Sequence, residues 1–420
     1  MKFSSSANRP NSWQEMTIAE VCRIFTSGGT PSRKKPEYFE NGTIPWVKTK
    51  ELNDGVVVDV EEYITQDALK NSSAKILPKN TVLLAMYGAT VGKLGVLGIE
   101  ASCNQACAAM VPTEGVADYR FLYYLLLNHR EKIVGQATGG AQQNLSGELI
   151  KGFTFDFPTF EEQKAIADVL WNLDAKIASN VATSKMLEDM TQAMFRAWFV
   201  DFDPSRRKLE GQPLVGLDDE TADFFPSSMI QTELGLIPEG WKASTLGELI
   251  TPKKGKTITK ATSQTGNVPV VGGGLNPAYF HDTSNVSEPV VTISASGANA
   301  GFVRLYQQDI WASDCSFISR EITENVFFWY LFLMKNQEQI YGMQQGAAQP
   351  HIYPSDLMRL KVAVPKNDQL ISKFELAVTP FFNQIGALKR QSDTLLSLRD
   401  FLLPRLISGE LEIPKEMMSS

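Results

Sequence analysis

Histidine and cysteine are scarce in this chain of 420 residues, with three of the first and four of the second. Cys22, Cys103, Cys107 and Cys315 form no Cys-x-x-Cys pair and the histidines lie far apart, so the spacing a zinc site needs is missing. The cysteines read instead as small buried apolar residues. Long hydrophobic runs are missing too. The longest, such as Val326 to Met334, are too short to cross a bilayer, and the opening MKFSSSANRPNSW lacks the apolar core of a secretion signal. A cytoplasmic protein without membrane contact is expected. There is no low-complexity tract, and 43% hydrophobic with 21% charged residues is the balance of ordinary folded domains, two or more at this length. A basic excess is also lacking, since the formal net charge is -7. The acidity is local, however. Residues 161–240 carry 15 acidic and 7 basic side chains, whereas residues 1–160 carry 16 of each. Affinity for a polyanion follows local Lys and Arg placement, so the flanking parts remain free to bind DNA.

What the chain does contain, it contains twice. GGAQQNLS from Gly139 to Ser146 returns as GAAQPHIYPSDL from Gly346 to Leu357, in the same setting. Trp13 to Val21 corresponds to Trp241 to Leu249, each reading as an opening strand and a turn. TVLLAMYGATVGKLGVL from Thr81 matches PVVTISASGANAGFVRL from Pro289, two hairpins around a Gly-rich turn. An aromatic, leucine-rich helix follows in each copy (120–133 and 325–340), then a Gln-containing loop, then a strand ending at Pro158 or Pro365. After each proline comes a long helix with an apolar 4-3 stripe: Ile166, Leu170, Leu173, Ile177, Asn180, Ser184, Leu187, Thr191, Met194 and Trp198 in the first, and Phe374, Val378, Phe381, Ile385, Leu388, Ser392 and Leu395 in the second. Pro380 is expected to kink that second helix or delay its start. A one-striped helix needs a partner, most simply the other copy. The expected fold is α/β, with two tandem domains at 1–160 and 239–366, helical regions at 161–200 and 367–420, and an extended Pro-, Gly- and Asp-rich linker at 201–238. The two helices would pack as an antiparallel coiled coil with pseudo-two-fold symmetry. At 1.5 Å per residue such a rod would be roughly 50 Å long, the length of about 15 base pairs. Phe195, Trp198, Phe199 and Phe202 either pack on the other long helix near Phe401 and Leu402 or anchor a partner subunit.

Candidate binding residues sit in the loops. Arg33, Lys34 and Lys35 with Tyr38, and Lys48, Thr49 and Lys50, offer groups suited to phosphates and base edges, or a plain solvated charge run. Tyr87 and Lys93 flank the first Gly-rich turn. Gln142, Gln143 and Asn144, with Gln349 and His351, both donate and accept, as adenine recognition requires; the alternative is capping, with Asn144 or Ser146 starting the next segment. Lys253, Lys254, Lys256 and Lys260 are the densest cationic cluster, with Ser294, Ser296 and Asn299 nearby. Three stretches mimic catalysis. Gly88 to Lys93 resembles a phosphate loop, but the first glycine is one residue too close and Leu94 replaces the magnesium-binding hydroxyl. Asn276-Pro-Ala-Tyr279 lacks the second proline of an amino-methyltransferase motif, and no methyl-donor loop accompanies it. His351 has no partners for a triad.

GGTPSRKKPEYFENGTIPWVKTKEL from Gly28, NSSAKILPKNTVLLAMYGATVGKLGVL from Asn71, NQACAAMVP from Asn104, AMFRAWFVDFDP from Ala193, LGLIPEGW from Leu234 and LRDFLLPRLISGELEIP from Leu398 resemble, in order, the specificity subunit of a bacterial type I restriction-modification enzyme. The resemblance spans nearly the whole chain. It implies two target recognition domains, a bipartite DNA target with a non-specific spacer, and no catalysis or cofactor in this chain. It further implies docking to two methyltransferase subunits that use S-adenosylmethionine, and to restriction (translocase) subunits that use ATP and Mg. One departure is the second domain's Pro252-Lys-Lys-Gly-Lys256 in place of Gly-Gly-Thr-Pro. The alternatives are a self-sufficient methyltransferase or nuclease, whose motifs are missing, and an assembly scaffold with degenerate DNA binding.

Overall fold

A computed structural model describes residues 1–3, 12–137, 144–346 and 349–418. In chain order the first half contains β1 (Gln14–Thr17), α1 (Ile18–Val21), β2 (Cys22–Ser27), β3 (Ile44–Val47), β4 (Gly55–Val57), β5 (Tyr63–Ile64), α2 (Gln66–Lys70), β6 (Val82–Ala85), β7 (Leu94–Leu97), β8 (Ser102–Cys103), β9 (Cys107–Pro112), α3 (Tyr119–Asn128), α4 (Arg130–Val134), α5 (Gly147–Lys151), β10 (Thr154–Phe157) and α6 (Phe160–Phe199). A connecting stretch follows with α7 (Asp203–Leu209), α8 (Asp219–Asp223), β11 (Met229–Thr232) and β12 (Gly235–Pro238). The second half contains β13 (Trp241–Thr245), α9 (Leu246–Leu249), β14 (Lys253–Lys254), β15 (Val268–Val271), β16 (Tyr279–His281), β17 (Val290–Ser294), β18 (Val303–Tyr306), β19 (Trp311–Ala312), β20 (Cys315–Ser319), α10 (Val326–Lys335), α11 (Gln337–Tyr341), α12 (Pro354–Leu357), β21 (Lys361–Pro365) and α13 (Gln369–Ile407).

The chain divides into two compact units, residues 1–178 with 392–420, and residues 179–391. In the first, β1 pairs antiparallel with β10, one sheet runs β2-β9-β6-β7-β4, and another runs β5-β3-β8. In the second, β13 pairs antiparallel with β21, and the sheets run β14-β20-β17-β18 and β16-β15-β19. Apart from β4 at the edge of the first large sheet, the plans match strand for strand, down to the single parallel pair in each small sheet, β3 with β8 and β15 with β19. The class is thus mixed, with mostly antiparallel pairing. Among the described residues the second unit has no counterpart of β4 or α2, which is where its shorter length falls.

Local chemistry repeats as well. Thr17 and Glu20 cap α1 reciprocally, and Thr245 and Glu248 cap α9 in the same way, so each opening strand turns at a capping box. The central helices α3 and α10 are apolar all round and buried from Phe121 to Leu126 and from Val326 to Leu333, as core helices must be. Their exposed amide ends are satisfied differently. Asp118 caps α3 from within, accepting from the Arg120 and Phe121 amides at 2.8 and 3.3 Å. The amides of Phe327 and Phe328 instead donate to the buried Glu375 carboxylate of α13, at 3.1 and 2.9 Å. Burial pushes the Glu375 carboxyl up, against the pull of those amides.

Every stripe position named from the sequence is buried or half-buried. In the first unit Ile166 and Leu170 of α6 share a core with Leu403, Leu406 and Ile407 of α13, and Arg399 reaches Asp174 at 2.8 Å. In the second unit Phe195, Trp198 and Phe199 share a core with Phe374, Val378 and Phe382, and Asn180 donates to Gln391 at 2.8 Å.

Three expectations need correction. The aromatics at the end of α6 meet the beginning of α13, at Phe374, and not Phe401 or Leu402, about 40 Å further along that helix. Pro380 does not delay α13, which starts at Gln369 and runs through it. Pro380 and Leu376 are both exposed, so the Leu376 carbonyl that Pro380 cannot serve faces water. Residues 201–238 are not extended: they form α7, α8 and the β11–β12 hairpin, with Phe225 and Ile237 buried in the second unit's core.

Candidate nucleic-acid interface

In both units the Gly-rich turn and the Gln-containing segment come together through the same backbone contacts. Tyr87 bridges Asn144, and the Leu145 amide donates to Met86 at 2.9 Å. Ser296 bridges His351, and the Ile352 amide donates to Ala295 at 2.9 Å. The scaffold is shared while the side chains it presents differ. Asn144 is exposed; Gln142 and Gln143 lie outside the described residues. His351 stacks on Tyr353 with ring centroids 6.1 Å apart, Gln349 is exposed, Asn299 is half-exposed, and the Ser296 hydroxyl is bonded to Asp314.

The loop after the first strand of the large sheet repeats too. Gly28 and Gly29 donate to Cys107 and Cys103 at 3.2 and 2.9 Å; Gly255 and Lys256 donate to Cys315 and Ala312 at 2.8 and 2.9 Å. An indole N–H seals each loop: Trp46 donates to the Gly29 carbonyl at 3.0 Å, and Trp311 to the Lys256 carbonyl at 2.8 Å. Gly255 therefore occupies the place of Gly28, and Lys256 that of Gly29, which accounts for the departure in the second copy.

The candidate cations have contrasting surroundings. Arg33 lies over the rings of Phe39 and Trp46, at 4.3 and 5.1 Å, and is 2.6 Å from Glu62. Lys48 is 2.8 Å from Glu62, Lys50 pairs with Glu61, and Thr49 is half-exposed between them. Lys35 donates to the Tyr38 hydroxyl at 3.0 Å, and the Tyr38 ring is buried. Lys93 is 3.1 Å from Asp54, which also holds Arg130. Burial raises the Asp54 carboxyl, but the Leu94 amide, Arg130 and Lys93 outweigh it and hold Asp54 below the usual carboxylate range. Lys253 is 3.3 Å from Glu321, whereas Lys34, Lys254, Lys256 and Lys260 are exposed, with no carboxylate within 4 Å among the described residues. Ser294 is buried, its hydroxyl turned to the Ser296 carbonyl at 3.5 Å. Sequence reasoning missed the carboxylates of Glu61 and Glu62. The signal for them was the equal count of acids and bases in residues 1–160.

Among the described residues no cluster of His, Cys, Asp and Glu is placed to hold a metal, and no helix is long and apolar enough to cross a membrane. Two heads with one scaffold and unlike polar faces make a duplicated recognition protein. The type I restriction modification DNA specificity domain matches residues 10–189 and again 238–393, and the chain belongs to that family. Over 430 residues it is 25% identical to the type I restriction enzyme MjaIX specificity subunit of Methanocaldococcus jannaschii, covering 96% of this chain and 94% of that one. A stretch of 163 residues is 29% identical to the EcoR124I/EcoR124II specificity subunit of Escherichia coli, covering 38% of this chain and 40% of that one. The type I restriction-modification S subunit from M. genitalium has the same fold, with a TM-score of 0.65 at 19% identity over 97% of this chain and 99% of that one. The chain is a DNA sequence-recognition subunit, without catalysis of its own.

Proposed function

We propose that the two heads, residues 1–160 and 239–366, each read one half of a bipartite DNA target across a non-specific spacer. The observation that carries this is the repeated bridge, Tyr87 to Asn144 and Ser296 to His351, where one scaffold presents two unlike sets of donors and acceptors. Phosphate contacts fall to the exposed lysines, above all Lys34, Lys254, Lys256 and Lys260, and base contacts to Asn144, Gln349 and His351 with their neighbours.

The helical regions 161–200 and 367–420 act as an antiparallel coiled coil that sets the spacing. The reading is supported by the stripe burial and by the Asp174–Arg399 and Asn180–Gln391 contacts, each within its own unit. Helices of 40 and 39 residues reach about 60 Å, the length of about 17 base pairs. The assembly adds two methyltransferase subunits carrying S-adenosylmethionine and restriction subunits carrying ATP and Mg, in the cytoplasm, with no cofactor in this chain.

Methylation of plasmid DNA by the reconstituted complex, mapped base by base, tests the proposal. Two short unlike motifs at a fixed interval are expected, and a single contiguous motif would refute it. Reversing charge at Lys253, Lys254 and Lys256 should weaken DNA binding with assembly intact; unchanged binding would favour the scaffold reading.

A further inference from the structure

The two heads treat their cations in opposite ways. In the second unit three of the four clustered lysines have no acidic partner among the described residues. In the first, Arg33, Lys48 and Lys50 share two carboxylates. Glu62 takes Arg33 at 2.6 Å and Lys48 at 2.8 Å, while Glu61 takes Lys50 and, at 3.5 Å, Lys48.

The carboxylates are held in place from three sides. The Glu62 carbonyl accepts the Trp46 amide at 3.0 Å, and the next residue, Tyr63, pairs with Pro45 of β3. The Glu51 carboxylate accepts the amides of both Lys48 and Glu61, at 2.6 and 2.7 Å, and so ties the cationic turn to the acidic arm. Val57 and Val60 are buried and anchor the arm from below. Contacts with both acids keep Lys48 above its ordinary range although its partial burial opposes this. The hydrogen bond from Lys50 holds Glu61 below the usual carboxylate range, and that from Lys48 does the same for Glu62.

A phosphate approaching this surface meets three cations that already share two carboxylates, so most of their charge is offset. Exchanging carboxylate for phosphate gains little and releases few counterions. A matching base sequence adds what a bare backbone does not, since bidentate hydrogen bonds to base edges reward a freed Arg or Lys.

We infer that Glu61 and Glu62 form an internal clasp that competes with DNA for Arg33, Lys48 and Lys50 and so lowers the first head's affinity for non-target duplex. The inference rests on the DNA-recognition reading above and assigns these two acids a part in discrimination.

The test uses the full chain assembled with its methyltransferase subunits. Anisotropy titrations would follow target duplex and a duplex with the first half-site scrambled, across a salt series. Replacing both acids, Glu61→Gln with Glu62→Gln, should raise non-target affinity about tenfold at low salt and steepen the dependence of log K on log salt by about 2. Target affinity should rise less, so discrimination narrows. Adding Arg33→Gln, Lys48→Gln and Lys50→Gln should abolish the gain. A fall in target affinity with non-target binding unchanged would overturn the clasp, because the acids would then be orienting the cations. No change at all would overturn it too, provided that charge reversal at Lys253, Lys254 and Lys256 still weakens binding. If that reversal is also silent, the DNA-recognition reading itself has failed.

Discussion

One methyl group in each head probes the shared loop directly. At Gly28 a Cβ would lie 2.1 Å from the Cys103 carbonyl oxygen and 2.3 Å from that of Asn104. At Gly255 it would lie 2.3 Å from the Ser313 carbonyl oxygen and 2.7 Å from that of Ala312. These neighbours are backbone, so no side chain can swing away and the loop must retreat by roughly 1 Å. Retreat strains two backbone hydrogen bonds in each head, from the Gly28 amide to Cys107 with Gly29 to Cys103, and from the Gly255 amide to Cys315 with Lys256 to Ala312. Overpacking costs about 1–3 kcal/mol and each weakened bond about 1 kcal/mol, giving about 3–5 kcal/mol for Gly28→Ala or Gly255→Ala. In a domain of this size that lowers the melting temperature by roughly 10 °C. Calorimetry measures the stability, and duplexes with one half-site scrambled report the function. Gly28→Ala should impair reading of one half-site and Gly255→Ala the other. Stability within about 0.5 kcal/mol of wild type for either variant would refute the close-packing argument.

Phe374→Ala removes a fully buried ring that meets Phe195, Trp198, Phe199 and Phe328, and should cost about 3–5 kcal/mol by chemical denaturation; Leu376→Ala, two residues on and exposed, should cost less than about 0.5. Burial holds the pKa of His129 below its ordinary value of 6.5, although its contact with the Leu125 carbonyl pulls the other way. A depressed folded pKa means the unfolded chain takes the proton first, so His129's contribution is intact above about pH 6.5 and is lost as pH falls through the folded value. Stability measured from pH 7.5 to 5 should therefore decline in wild type by at most about 1.4 kcal/mol per pH unit from this group, and less steeply in His129→Gln.

Much of the fold was legible because duplication prints each signal twice. The Gly-edged hairpins, the strands ending at Pro158 and Pro365 and the two long stripes all rest on local spacing, which needs no tertiary knowledge. The connecting stretch misled for a physical reason. Its Pro, Gly and Asp residues mark turns correctly, but nothing local shows that Phe225 and Ile237 dock into a core formed by distant residues. The lysine and arginine loops were found, yet their state was not. Whether a cation is paired depends on what the fold brings beside it, and Glu62 reaches Arg33, as Glu61 reaches Lys50, only because β5 lies along β3. Ser294 stood in a promising motif and proved to be interior, since the strand's alternation is overridden where both faces are covered.

Each head is bounded by a pair of antiparallel strands. Gln14 lies opposite Phe157 in the first, and Trp241 opposite Pro365 in the second. The chain thus leaves a head beside the point where it went in, and those rungs are backbone hydrogen bonds that call for no particular side chain. A lineage could trade the entire contents of a head through this narrow stem while the stem's own bonding stayed as it was. New specificities would then arise by exchanging whole parts, with the stem left in place.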